Sequence, residues 1–150
     1  MAGDDELEVI EDPKEQIDSK LSILSSIKKL LGIEEDDESF DVEIILNINS
    51  VFMILNQLGL GPTNGFFIED KTSLWTDFIP RRKDFMAVKS YIYLKVRLMF
   101  DPPQMGYLVE SIKKQCDEFE WRLNVQAETK LNKQKWNYYI EKEDDENEDG

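Results

Sequence analysis

A chain of 150 residues is long enough for one domain with an ordinary core and too short for two. Its 18 Lys and Arg stand against 32 Asp and Glu, and the resulting formal net charge of −14 disfavours a general DNA or RNA binder held by phosphate contacts. With no His and a single Cys, Cys116, it lacks the commonest general base and transition-metal ligand, and it forms neither an intramolecular disulfide nor a thiolate zinc site.

The charge is unevenly placed. Residues 1–20 hold eight acids and two lysines and residues 141–150 hold seven acids and one lysine, so each end carries −6. Such ends are expected to be disordered or to fold only on contact. The N-terminus lacks the basic-then-apolar order of a signal peptide and no apolar run approaches a membrane span, which predicts a soluble, unexported protein. Three segments are expected: an acidic extension over 1–17, a helical domain over 18–128, and a C-terminal arm over 129–150.

Asp18 or Ser19 is placed to cap a first helix with Leu21, Leu24, Ile27 and Leu31 on one face and Gly32 as its stop. Lys28 and Lys29 fall in the last turn, where cations complement the helix dipole. The run Glu34 to Glu38 reads as a solvated acidic loop; beyond it and its acidic neighbours Asp41 and Glu43, residues 44–140 carry 13 bases and 10 acids. Asp41 opens a second helix with Ile44, Ile48, Val51, Phe52, Leu55 and Leu58 on one face. Leu46 and Met53 point away from that stripe, so the helix is apolar on two sides.

Pro62, Asn64 and Gly65 mark a turn, followed by the apolar run Phe66 to Ile68, and Thr72 or Ser73 is placed to start one helical turn carrying Leu74, Trp75, Phe78 and Ile79. This aromatic loop is expected to pack onto the helices. Arg81, Arg82 and Lys83 form the one dense basic cluster and read as a solvated loop, the alternative being a contact with acidic protein or a DNA phosphate. A third helix runs from Asp84 to Phe100, ended by Asp101-Pro102-Pro103. Lys95 falls inside its apolar arc, with a buried stem and an ammonium reaching either water or a carboxylate on another subunit.

Asp101 and Pro102 suit the cap and first position of a fourth helix. Met105, Leu108, Val109, Ile112, Cys116, Phe119 and Leu123 share one side of it, and Cys116 reads as a small buried residue there. Tyr107, Lys114 and Trp121 recur at intervals of seven on the other side. Glu110 with Lys114 and Glu118 with Arg122 have helix-supporting spacing. Farther on, Trp136, Tyr138, Tyr139 and Ile140 make an aromatic cluster suited to docking.

No constellation supports catalysis, a cofactor or a metal. The acidic runs lack the calcium-loop spacing, and Gly59, Gly61 and Gly65 follow no strand. The fold class read from these elements is all-α, a compact bundle of four to five helices with an extended C-terminal arm and acidic tails. Unpartnered apolar faces on at least two helices point to association, with Leu46, Met53, Tyr107, Lys114 and Trp121 as candidate subunit-interface residues.

The strings SIKKLLGI (Ser26 to Ile33), INSVFMILNQLGLGP (Ile48 to Pro62), WTDFIP (Trp75 to Pro80), AVKSYIYLKVRLMFDPP (Ala87 to Pro103) and EWRLNVQAE (Glu120 to Glu128) resemble the head-tail connector, or head-completion, proteins of long-tailed bacteriophages. The likeness spans about residues 21 to 128. It implies a non-enzymatic virion protein of the neck, made in the host cytoplasm. Its subunits would form a ring, typically twelvefold, under the portal protein, extending the DNA channel and carrying a stopper or tail-completion protein. In similar rings a C-terminal arm docks on the portal, which would employ Trp136, Tyr138, Tyr139 and Ile140. This chain departs from such connectors in the roughly twenty acidic residues before its first helix. The alternative from a different class is an acidic regulatory or DNA-mimic module.

Overall fold

The computed structural model describes residues 21–79 and 82–148, with side-chain surroundings for all of these except residues 82–85, 132 and 135–148. The described chain is all-α: α1 (Ile23–Leu31), α2 (Asp41–Gln57), the single turn α3 (Trp75–Phe78), α4 (Arg82–Phe100) and α5 (Gly106–Glu148). The long helix α4 is central, since α1, α2 and α5 all pack along it.

Helix α1 starts later than the sequence suggests. Ser22 is its cap, with Oγ accepting from the Ser25 N–H at 3.3 Å, whereas Asp18 and Ser19 lie outside the described residues. Leu21 therefore precedes the helix. Its carbonyl accepts from Trp75 N–H and Ser73 carbonyl accepts from Ile23 N–H, both at 3.0 Å, forming an isolated antiparallel bridge that ties the start of α1 to the start of α3. Trp75 Nε1 donates to Ser26 Oγ at 2.9 Å, so the indole is fully buried without losing its hydrogen bond. At the other end Gly32 takes φ +78°, and the Ile33 N–H returns to Lys28 carbonyl at 2.9 Å.

The α2 stripe is as the periodicity requires: Ile44, Ile48, Val51, Phe52 and Leu55 are each fully buried. Asp41 is the first helical residue rather than the cap, because a short 3-10 turn over Glu38–Phe40 leads directly into it. That frees its carboxylate for Lys28. The Lys28 side chain is only 2 % exposed, and its Nζ lies 2.8 Å from Asp41 Oδ1. It also donates to the carbonyls of Glu35 at 3.0 Å and Asp37 at 2.8 Å. The acidic run is thus no simple solvated loop: its side chains largely face water while two of its carbonyls turn inward onto a buried cation. Ser25 Oγ donates to Glu35 Oε1 at 3.1 Å and fastens the same loop to α1.

The aromatic loop packs down as expected. Phe78, Phe66 and Phe52 form a ring cluster with centroids 4.8 to 5.3 Å apart. Asn49 holds the loop to α2 through both ends of its amide, donating to Ile68 carbonyl at 2.9 Å and accepting from Ile68 N–H at 2.8 Å. Thr72 and Ser73 do not cap α3; Leu74 does so positionally, and Asp77 Oδ2 accepts its N–H at 2.8 Å. Phe67 alone of the apolar run stays exposed.

Helix α4 begins at Arg82 and places Val88, Tyr91, Ile92 and Val96 in the core. The side chains of Arg81, Arg82 and Lys83 lie outside the described residues. Helix α5 begins at Gly106, not at Pro102. Pro103 drives the residue before it into an extended conformation, so Pro102 cannot take a helical ψ, and the new helix is delayed until the proline pair has passed. Consequently Met105 precedes the helix and is exposed with Leu108, and full burial within the predicted stripe is confined to Cys116 and Leu123, with Ala127 buried one turn beyond it. The helix then continues without a break to Glu148.

Candidate functional site

A half-buried polar cluster joins α4 to α5. Tyr91 Oη donates to Glu120 Oε1, and Lys95 Nζ lies 3.1 Å from the same oxygen and 5.8 Å from the centre of the Tyr91 ring. The carboxylate that Lys95 reaches is therefore in its own chain, which corrects both the water-facing and the inter-subunit expectation. Burial pushes Glu120 up, but the Tyr91 hydroxyl and Lys95 ammonium outweigh it and leave the carboxyl below its usual range. Burial and the neighbouring carboxylate raise Tyr91, and burial likewise raises the Cys116 thiol, so neither is a poised nucleophile or base.

This cluster fastens two helices, with a pH signature of definite sign. A carboxyl whose folded pKa is depressed contributes stability that is complete above its unfolded value of about 4.3 and fades as pH falls through the lower folded value. Glu120→Gln is expected to lower stability by about 1 kcal/mol at pH 7, a modest figure because the side chain is a third exposed. The deficit should shrink below about pH 4. Urea unfolding of both proteins at pH 7 and pH 3.5 measures this; an equal deficit at the two values would contradict it.

The five candidate interface residues lie in water. On α2, Leu46 and Met53 are 63 % and 65 % exposed two turns apart, and Val42, 75 % exposed, extends their face by one turn. On α5, Tyr107 is 70 % and Trp121 66 % exposed, with Lys114 exposed between them and Val125 one turn beyond Trp121. The structure does not gather these two faces into one site, since they belong to different helices that each pack along α4. The i,i+4 partner foreseen for Lys114 is not used: Glu110 pairs instead with Lys113 at 3.2 Å, while Glu118 and Arg122 pair at 2.6 Å as expected. The side chains of Trp136, Tyr138, Tyr139 and Ile140 lie outside the described residues, although the backbone there is part of α5.

A third apolar surface was not anticipated. Phe40 and Phe100 meet edge to face, centroids 5.6 Å apart, and thereby bring the start of α2 and the end of α4 to one end of the bundle. Phe40, Met99, Met105 and Leu108 are each 40 to 55 % exposed. In sequence, the signal for this end was that apolar residues crowd the helix boundaries, where a periodicity argument loses its reach.

Among the described residues, no group of three or more Cys, Asp or Glu is arranged to hold a metal ion, and no helix is long and apolar enough to cross a membrane. No curated protein and no solved structure matches the chain. The family comparison does give a match, to the family described as phage connector protein, over residues 23–130, which takes in α1 to α4, the clasp to α5 and the exposed faces of α2 and α5. By that match, across more than two thirds of its length, this chain belongs to the phage connector protein family.

Proposed function

We propose that this structural protein of the phage head–tail junction works as one subunit of a ring, twelvefold by analogy with similar connectors. In this reading the ring sits under the portal protein, prolongs the DNA channel, and offers its far side to a stopper or tail-completion protein. Genomic DNA passes without sequence-specific contact, through a protein whose net charge of −14 discourages adhesion. The observation that supports this most is the presence of separate exposed apolar surfaces on a small helical bundle: one along α2, one along α5 and one at the Phe40–Phe100 end. A monomer has no use for three such surfaces; a subunit with two neighbours and an axial partner has.

The C-terminal continuation of α5, with Trp136, Tyr138, Tyr139 and Ile140, serves in this proposal as the portal-docking arm. An acidic regulatory or DNA-mimic role would instead want negative charge arrayed on the folded surface, and residues 44–140 are net positive.

Mass photometry of the purified chain with its portal tests both parts. Leu46→Glu and Trp121→Glu are each expected to weaken subunit association by about 30-fold or more, the loss of one interface anchor worth ~2 kcal/mol, while the circular dichroism stays that of the parent. Truncation before Trp136 is expected to abolish portal binding and spare the helical domain. Persistent monomers that never bind the portal would overturn the ring, and portal binding that survives truncation would overturn the arm.

A further inference from the structure

One face of this acidic protein gathers cations that form no ion pair among the described residues, although Lys29 at its edge shares a cleft with Glu34 and Glu35. On α4, Met86, Lys89, Tyr93 and Arg97 follow at spacings of three and four and so share a face, on which Arg97 Nη1 donates to Tyr93 Oη at 2.8 Å. Lys29 on α1 stands close enough that, after burial, its charge is what depresses the pKa of Lys89. Lys28, Lys95, Lys113 and Arg122 each have a carboxylate partner. By contrast, none of Lys29, Lys89 and Arg97 is paired with a carboxylate among the described residues, and Arg97 Nε is buried with no acceptor.

We infer that the acidic N-terminal segment, residues 1–17, lies along this face of its own molecule, its carboxylates meeting Lys29, Lys89 and Arg97. Charge and reach both favour that occupant. The first twenty residues carry eight acids interspersed with Leu7, Val9 and Ile10, which suits a face holding three cations around an exposed Met86. The segment joins the fold at Leu21, and Lys29 lies about 10 Å along α1 from that point. A chain of this length spans roughly 23 Å, so tethering keeps its carboxylates at an effective concentration of the order of millimolar. The other acidic end is tied up differently, because up to Glu148 it is part of the continuous helix α5 rather than a free strand of chain. Free DNA is disfavoured by the net charge of the chain.

The test is zero-length carbodiimide cross-linking of the full chain, as an equal mixture of light and 15N-labelled protein, read by mass spectrometry. Expected are intramolecular links from acids of residues 1–17 to Lys29 and Lys89. These should exceed links to the exposed Lys113 and Lys114 by about fivefold in ~10 mM salt and fall to their level in ~1 M salt, where charges act over only ~3 Å. Lys89→Gln with Arg97→Gln, both half-buried on α4, should cut the remaining Lys29 links by about half or more. Links no commoner at Lys29 and Lys89 than elsewhere, or mixed light–heavy links that place the segment on a second copy, would overturn the inference. So would equal retention of the full chain and a chain lacking residues 1–17 on a 20-base-pair duplex column with this face intact, since a covered face should bind phosphate less.

Discussion

Replacing Lys28 with methionine is expected to lower the unfolding free energy by about 3 kcal/mol, the cost of breaking a buried ion pair by removing one partner. Methionine fills the same volume, so packing is nearly conserved and the loss is polar. The Asp41 carboxylate would remain at the start of α2 without its cation, and the carbonyls of Glu35 and Asp37 would lose a donor in a place that the ammonium had reached past the solvent. Asp41→Asn is the milder change, at about 1 kcal/mol, because an amide oxygen still accepts from the ammonium and Asp41 is partly exposed. The pair should couple: the double variant is expected to be more stable than the sum of the two losses implies, since each substitution removes the group the other strands. Urea denaturation of the four proteins in one cycle measures this. A Lys28→Met loss under 1 kcal/mol would mean that the loop does not close over the lysine.

Gly61→Ala is expected to cost a further amount of similar size, about 3 kcal/mol, from two separable causes. Gly61 has φ +83°, which an L side chain pays for by roughly 1 kcal/mol. A methyl group there would also overlap the ring of Phe78 at Cε2, within the ring cluster of Phe52, Phe66 and Phe78. Gly32 supplies the control, having φ +78° and open space where its Cβ would stand. Gly32→Ala should therefore show the backbone part alone, about 1 kcal/mol, and the difference between the two thermal denaturations reads the displacement of the Phe78 ring. Phe78→Leu combined with Gly61→Ala should be less destabilised than additivity predicts. Equal losses at Gly32 and Gly61 would show that the ring moves aside freely.

Periodicity was sufficient for the parts of this fold that depend on one helix at a time. Ile44, Ile48, Val51, Phe52 and Leu55 lie on one side of α2 by spacing alone, and Leu46 and Met53 are exposed because they are in the opposite phase; the same holds for Tyr107 and Trp121 on α5. What spacing does not give is the length of the neighbour. Met105 and Leu108 share the direction of Cys116 and Leu123 but are left uncovered. Spacing is equally silent about contacts between distant segments. Two adjacent lysines in a last turn look alike, yet Lys28 is buried and Lys29 exposed, because the loop that follows doubles back over only one of them. Glu120 meets Tyr91 and Lys95 across 29 and 25 residues, a separation no local rule bridges.

The unbroken run of α5 from Gly106 to Glu148 fixes not only a distance but a phase. Some 18 residues beyond Lys130 correspond to about 27 Å of rod, and along such a rod each residue added or removed turns everything after it by about 100°. A flexible connector would tolerate any change of length equally. Here a single inserted residue would aim Trp136 to Ile140 in a different direction while moving them only about 1.5 Å, whereas seven would restore the heading almost completely. If this part of α5 docks as proposed, its length is constrained in steps of helical turns, and related chains that differ by insertions beyond Lys130 are then expected to favour multiples near seven over single residues.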